Sequence, residues 1–182
     1  MELVNINNVK NITSIGGGPI GAGWTAHFLA KGFKVTSYLH DATEKKIFMK
    51  LIKTAWISLE KLGLSKQASF SNLKITNSLE RAVLKTDFVQ ESAPEILELK
   101  QNLYFKLGNL IDNNIVIASS TSGLMMSEIQ KKCQTPERTV VGHPFNPPYL
   151  LPLVEVVGGE KTEKKFVIWL SDFYKSADKV PL

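Results

Sequence analysis

One histidine and one glutamate stand in two neighbouring, mostly apolar segments near the end of the chain. The stretch "GHPFNPPYLLPLVEVVGG", residues 142–159, contains His143 and Glu155. A carboxylate buried within "LVEVV" would either lose its charge or find a partner. An imidazole at a strand end can act as a general base near neutral pH, and a carboxylate on its other ring nitrogen fixes the tautomer. We therefore predict that His143 and Glu155 are partners in acid–base chemistry.

Ser122, which follows the apolar segment "IVIASS", is the third candidate catalytic residue. Ligands of open α/β sheets bind at the carboxyl ends of the strands, where a hydroxyl group can hold a substrate oxygen. Each residue also has a structural explanation. His143 could be a turn residue before a proline, and Glu155 could reach a lysine or the edge of the sheet. Ser122 could be the N-cap of a helix that begins at Leu124. Only their combination favours catalysis.

A glycine cluster, "SIGGGPIGAGW", follows the first strand candidate and opens a helix. Gly16, Gly18 and Gly21 form a G-x-G-x-x-G pattern, in which the glycines permit a tight turn, approach of a pyrophosphate, and close helix packing. The N–H groups and positive dipole end of the helix would then bind phosphates. A purely structural turn is the alternative, but the position between a strand and a helix favours a dinucleotide site. The predicted contacts with NAD are Gly16, Gly17, Gly18, Pro19, Ile20 and Gly21.

The end of the second strand lacks the acidic residue that a dinucleotide fold places there for the ribose hydroxyls. Leu39 occupies that position, and Asp41 two residues later forms a capping-box pattern with Glu44. We favour the capping role for Asp41. Either Asp41 or His40 then substitutes at the ribose, or NAD binds more weakly. Because lysines but no arginine follow in "YLHDATEKK", the sequence favours NAD over NADP.

The elements that must position these residues alternate along the chain. Strand candidates cover residues 10–15, 33–39, 73–76, 87–92, 115–120, 139–143 and 151–157. Helix candidates cover residues 19–32, 41–62, 79–85, 95–111, 124–132 and 162–176. Strands that alternate with crossover helices predict a doubly wound, mostly parallel α/β sheet of the Rossmann type. We expect residues 1–182 to form one NAD-binding domain, with 180–182 as the start of a further strand.

Composition excludes several classes of protein. The hydrophobic fraction of 43% and charged fraction of 21% are those of a soluble globular protein. The net charge of +5 is scattered along helices, which argues against a nucleic-acid partner. The chain lacks a membrane-spanning run and the features of a secretory signal. A single cysteine, Cys133, fits a reducing cytoplasm. We expect a cytoplasmic protein with a small-molecule substrate and no metal site.

Four ordered motifs resemble the 3-hydroxyacyl-CoA dehydrogenase superfamily: "IGGGPIGAGW", "FVQESAPE", "SSTSGL" and "GHPFNPPYLLPLVEVV". The resemblance extends from about residue 10 to the end, and "YLLPLVEVVGGE" is most similar to the branch that oxidises L-carnitine. It implies that His143 is the catalytic base, Glu155 its partner carboxylate, and Ser122 the residue that hydrogen-bonds the substrate hydroxyl. It also implies three further cofactor-binding residues: Glu95, Lys100 and Ser120.

The resemblance implies NAD-dependent oxidation of a 3-hydroxy substrate, either L-carnitine or a 3-hydroxyacyl-CoA, to its 3-keto form. A trimethylammonium group would favour aromatic faces such as Phe145 and Tyr149, although both also suit packing under a proline-rich loop. CoA phosphates would favour lysines, although a lysine cluster also suits a solvated helix face. That cluster comprises Lys45, Lys46, Lys50 and Lys53.

The family also has a C-terminal helical domain that closes the substrate pocket and forms the homodimer. We expect the present chain to end just before that domain would start. A dinucleotide-binding module without catalysis is therefore the alternative from another functional class. Leu39 departs from the family's acidic ribose ligand and supports the same alternative.

Overall fold

The computed structural model of the protein describes residues 2–182, so residue 1 of the predicted domain lies outside it. The strands are β1 (Asn11–Ile15), β2 (Lys34–Tyr38), β3 (Leu73–Thr76), β4 (Phe88–Glu91), β5 (Ile117–Ser119), β6 (Thr139–Pro144), β7 (Leu153–Gly158) and β8 (Val180–Pro181). The α-helices are α1 (Pro19–Ala30), α2 (Lys45–Leu62), α3 (Leu79–Val83), α4 (Leu97–Leu110), α5 (Met126–Ile129) and α6 (Lys164–Ser176).

The strands form one eight-stranded sheet in the order β3-β2-β1-β4-β5-β6-β7-β8. Strands β1 to β6 run parallel to one another, β7 pairs antiparallel with β6, and β8 pairs parallel with β7. The chain reverses its direction of winding between β1 and β4, which are neighbours in the sheet. The predicted doubly wound, mostly parallel Rossmann architecture is therefore confirmed.

The sheet separates two apolar cores. Successive side chains of a strand point to opposite faces. Phe88 accordingly lies in the core that contains residues of α1, α2 and α6, whereas Val89 lies in the core that contains residues of α3, α4 and α5. Helices cover both faces, so the central strands are buried along almost their whole length, and β4 buries even the polar residues Gln90 and Glu91.

Helix α4 buries only part of its apolar side chains. The side chains that it buries are Lys100, Tyr104 and Leu107. Ile96 and Leu99 are exposed and line a cleft. Part of this helix therefore packs on the core, and another part lines the cleft.

Helix α5 is shorter than predicted, since it covers four residues before the chain continues as a 3-10 turn over Gln130–Lys132. The predicted helix at 41–62 begins with a separate 3-10 turn, Ala42–Glu44, and only then becomes α2. Within residues 2–182, no helix combines the length and apolarity needed to cross a membrane.

Candidate active site

A cleft of about 1060 Å³ lies at the carboxyl ends of β1 and β4, where the winding of the sheet reverses. This is the position at which open α/β sheets bind ligands. One wall is the glycine loop from Gly16 to Ile20, and the opposite wall includes Ser92–Pro94 and one side of α4. The cleft therefore lies where the sequence predicted the dinucleotide.

The glycine loop has the geometry that its spacing predicted. Gly16 has a φ of +113°, and a Cβ there would overlap the carbonyl group of Ser92. A Cβ at Gly21 would overlap the carbonyl oxygen of Gly16, so only glycine allows helix α1 to start this close to the loop. Gly18 differs, because a Cβ there would have no atom within 4 Å. The open backbone at Gly18 and the helix N-terminus beside it fit a pyrophosphate group.

At the end of β2, the predicted capping role of Asp41 is confirmed, and Glu44 lines the cleft, which the sequence did not predict. Asp41 caps the turn that follows, with its Oδ1 accepting a hydrogen bond from Thr43 N at 2.8 Å. That bond lowers the pKa of Asp41 below its ordinary value. Leu39 is buried in the core, while His40 and Glu44 line the cleft. The sequence identified Glu44 only as a capping-box residue, because its approach to the glycine loop depends on the tertiary fold.

His143 and Glu155 lie directly opposite each other on β6 and β7. The distance between His143 Nδ1 and Glu155 Oε2 is 2.7 Å. A carboxylate can only accept a hydrogen bond, so Nδ1 carries the proton and the lone pair of the neutral ring is on Nε2. The side chains are 27% and 49% exposed. The predicted burial of Glu155 is therefore wrong, because alternate residues of β7 face solvent, and solvation accommodates its charge.

Ser122 lies in the exposed loop that follows β5, at the same end of the sheet as His143. Its backbone N–H donates to Glu95 Oε1 at 3.0 Å, and that of Gly123 does so at 3.1 Å. Helix α5 begins at Met126 with Met125 as its cap, so the N-cap explanation for Ser122 is wrong. Its role at the substrate hydroxyl stays a prediction.

Glu95 holds the loop around Ser122 in place. Burial alone would raise the pKa of Glu95, but hydrogen bonds from Thr121 and Gly123 and the charge of Lys100 hold this pKa below its ordinary value. Glu95 is thus an ionised anchor between the start of α4 and the loop after β5. Its side chain is 42% exposed, so its predicted contact with the cofactor needs no rearrangement of the core.

Lys100 lies behind the cleft wall, fully buried. Its Nζ donates to Glu91 Oε1 at 2.6 Å and to Ala93 O at 3.2 Å, and it lies 3.5 Å from Glu95 Oε2. Glu91 also accepts hydrogen bonds from Ser119 Oγ and Ala93 N, each at 2.6 Å. This network fixes the wall at Ala93. The sequence did not single out Glu91, because nothing local in "FVQES" distinguishes it from an exposed glutamate.

The Ser120 hydroxyl group forms hydrogen bonds with three neighbouring side chains. Its Oγ accepts from Trp24 Nε1 at 3.1 Å and Gln90 Nε2 at 3.0 Å, and lies 2.8 Å from Ser92 Oγ. Ser92 itself lines the cleft. Contacts of Ser120 and Lys100 with the cofactor remain predictions.

Comparison with known proteins agrees with this geometry. Residues 11–182 match the family described as 3-hydroxyacyl-CoA dehydrogenase, NAD binding domain. The chain is 49% identical over 171 residues to an L-carnitine dehydrogenase of Nocardiopsis dassonvillei, an alignment that covers 94% of this chain and 52% of the relative. The chain therefore spans about half the length of the curated relatives it matches.

Two solved structures share the fold. One is 5-formyl-3-hydroxy-2-methylpyridine 4-carboxylic acid 5-dehydrogenase, an NAD+ dependent dismutase, with a TM-score of 0.88 and 30% identity over 96% of this chain and 57% of that one. The other is 3-hydroxybutyryl-CoA dehydrogenase of Escherichia coli, with a TM-score of 0.88 and 27% identity over 96% of this chain and 38% of that one.

Proposed function

This chain belongs to the 3-hydroxyacyl-CoA dehydrogenase family through its NAD-binding domain, and on that premise we propose that it serves the NAD-dependent oxidation of L-carnitine to 3-dehydrocarnitine. The observation that carries the proposal is the His143–Glu155 hydrogen bond, which presents a free imidazole nitrogen at the carboxyl edge of the sheet. Residues 1–182 form the NAD-binding domain in this proposal.

The glycine loop from Gly16 to Gly21 and the N-terminus of α1 hold the pyrophosphate of NAD. Glu95 and Lys100 position the ribose end of the nicotinamide, and Ser120 faces the cofactor. Bound NAD supplies the hydride acceptor for the carbon that carries the hydroxyl group. The remaining chemistry belongs to side chains of this domain.

His143 removes the hydroxyl proton through Nε2, because its Nδ1 is engaged by Glu155. The Glu155 carboxylate stabilises the imidazolium that results and keeps the ring oriented. Ser122 donates a hydrogen bond to the substrate oxygen and holds it near the base. In the reverse direction the imidazolium returns its proton to the carbonyl oxygen.

L-carnitine is favoured as substrate by the 49% identity to a dehydrogenase of that name. Phe145 supports this assignment, since its ring centroid lies 6.2 Å from that of His143 and its side chain is partly exposed. An aromatic face at that position suits a trimethylammonium group. Tyr149 is half-buried against the apolar core, which fits the packing role that was its alternative.

A 3-hydroxyacyl-CoA is the second candidate substrate, because the E. coli structure of similar fold is named 3-hydroxybutyryl-CoA dehydrogenase. Lysines on the outer side of α2 would bind the CoA phosphates. These residues, all exposed, are Lys45, Lys46, Lys50 and Lys53.

The proposal also includes a cytoplasmic location, a homodimer for the whole protein, and no membrane or nucleic-acid partner.

The test measures NADH binding by fluorescence and then hydride transfer with L-carnitine and with 3-hydroxybutyryl-CoA. The proposal expects NADH to bind and L-carnitine to be the better substrate, with His143→Gln binding NADH but turning over neither compound. Preference for the CoA substrate would support the second candidate. Binding of NADH without turnover of either compound would instead indicate a dinucleotide-binding module.

A further inference from the structure

The ribose end of the cleft lacks a carboxylate at the position where dinucleotide folds place it. Leu39 occupies that position at the end of β2 and is only 1% exposed within the core. Asp41 is engaged as the cap of the following turn. Leu39 has no hydrogen-bond acceptor in its side chain, and Asp41 is not among the residues that line the cleft. The cleft must obtain its hydrogen-bond acceptor from elsewhere if the ribose is to be held.

The Glu44 carboxylate reaches the same place from the start of α2. A Cβ added to Gly17 would overlap Glu44 Oε2 and would lie 3.2 Å from Leu39 Cδ2. The carboxylate thus contacts the glycine loop beside the Leu39 side chain. Glu44 is half-buried, lines the cleft, and makes no side-chain hydrogen bond or ion pair with any part of residues 2–182. Its two oxygens remain free to accept hydrogen bonds.

We propose that Glu44 binds the 2′- and 3′-hydroxyl groups of the adenosine ribose, in place of the acid missing at Leu39, and thereby selects NAD over NADP. The inference rests on the proposed NAD-binding role of the cleft and adds the residue that determines cofactor choice. A carboxylate can accept hydrogen bonds from two hydroxyl groups at once. A 2′-phosphate would instead meet a like charge.

Other groups around this end of the cleft support the same selectivity. Glu80 also lines it, on the side of α3, and adds a second negative charge. Tyr38 lines the same cleft, and burial, followed by the charges of Glu80 and Glu44, raises its pKa. The basic groups that line the cleft are Lys106 and His40, and Glu98 on α4 is a third carboxylate in the lining. The two basic groups thus face three carboxylates and include no arginine for a bidentate phosphate contact.

The first experiment compares the affinity for NADH of the wild type, Glu44→Gln and Glu60→Gln, by fluorescence titration. Glu60 is an exposed glutamate at the other end of α2, so it controls for the loss of one negative charge. Glu44→Gln should weaken NADH binding at least about tenfold, as the loss of hydrogen bonds to a charged group does. Glu60→Gln should leave it within about twofold.

The second experiment uses Glu44→Lys and measures NADPH as well as NADH. The proposal expects the ratio of NADH to NADPH affinity to fall by about a hundredfold or more, because a repulsive charge becomes an attractive one. ADP-ribose as a competitor checks that the effect concerns the adenosine half of the cofactor. Thermal unfolding shows whether each variant is folded.

The outcomes separate this inference from the proposed function. If the wild type binds neither NADH nor ADP-ribose, the dinucleotide site itself is wrong. If the wild type binds NADH and Glu44→Gln binds it as tightly as Glu60→Gln does, NAD binding stands and the role of Glu44 is overturned. An unchanged NADH-to-NADPH ratio in folded Glu44→Lys would overturn the selectivity role.

Discussion

His143 on β6 and Glu155 on β7 face each other across an antiparallel strand pair, with Nδ1 and Oε2 2.7 Å apart. Both positions are set by backbone hydrogen bonds of the sheet rather than by a loop. The carboxylate accepts the Nδ1 proton, so the neutral ring has its lone pair on Nε2. Strand register thus fixes both the position of the base and its tautomer.

Removal of Glu155 is expected to change the tautomer of His143 and to slow turnover. Nitrogen NMR of the wild-type ring should report the Nδ1–H form, and Glu155→Ala should shift the population toward Nε2–H. Turnover by an active protein containing this domain should fall about a hundredfold, the usual contribution of a positioned base, while NADH affinity stays within about twofold. Glu160→Ala, at an exposed glutamate after β7, is the matched control. An equal loss of turnover and NADH affinity would mean that the pair is structural.

The glycine motif and the alternation of strands and helices were predictable because both are local patterns. Gly16 requires a positive φ and Gly21 a close helix start, and the spacing in sequence records both needs. Glu44 and Glu91 could not be identified in this way. Their contacts are made with other elements of the fold, namely the glycine loop for Glu44 and Lys100 on α4 for Glu91.

The exposure of Glu155 shows a second limit of sequence patterns. Its apolar neighbours predicted a buried carboxylate, yet Val157 on the same strand is itself 54% exposed. Apolar residues of β7 therefore do not all mark a core. The pairing with His143 followed from the chemistry of the two side chains and did not depend on that burial.

Gly18→Ala is expected to impair NADH binding with little effect on stability, whereas Gly16→Ala is expected to destabilise the fold. Gly18 has φ of −75° and open space at its Cβ position, so alanine should change the melting temperature by less than about 2 °C. The added methyl group should obstruct the pyrophosphate and weaken NADH binding about tenfold or more. Gly16→Ala should destabilise the fold by more than about 1 kcal/mol, because its φ is +113°. Calorimetry measures the stability of each variant, and titration measures its affinity for NADH. Unimpaired NADH binding by Gly18→Ala would contradict the assigned phosphate position.

Lys100→Met is expected to destabilise the domain strongly. Lys100 and Glu91 are 1% and 0% exposed, so the substitution leaves a buried carboxylate without its cation. The free energy of unfolding should fall by roughly 3–5 kcal/mol, as is typical when one partner of a buried ion pair is removed. Lys100→Met combined with Glu91→Gln should lose less than Lys100→Met alone, because the uncompensated charge is absent. Urea unfolding of the variants measures this coupling, and a double variant less stable than Lys100→Met would contradict it.

His27 is expected to make the domain sensitive to mild acid. Its ring is buried on α1, and Nε2 lies 2.8 Å from the carbonyl oxygen of Ala177. A carbonyl only accepts, so Nε2 carries the proton of the neutral ring. Burial, and then the positive charge of Lys179, hold the pKa of His27 well below 6.5. Protonation would place a positive charge on a ring that is only 4% exposed.

The sign of the pH effect follows from proton linkage. Just below pH 6.5 the unfolded chain protonates His27 and the folded protein does not, so the unfolded state binds more protons. The contribution of neutral His27 to the free energy of unfolding is therefore complete above about pH 6.5. It is lost as the pH falls, at up to about 1.4 kcal/mol per pH unit. His27→Gln keeps a donor for Ala177 and should remove this part of the slope in urea unfolding between about pH 7.5 and pH 5. His40→Gln, at an exposed histidine, should retain the wild-type slope. Parallel stability curves for the wild type and His27→Gln would show that acid acts on another group.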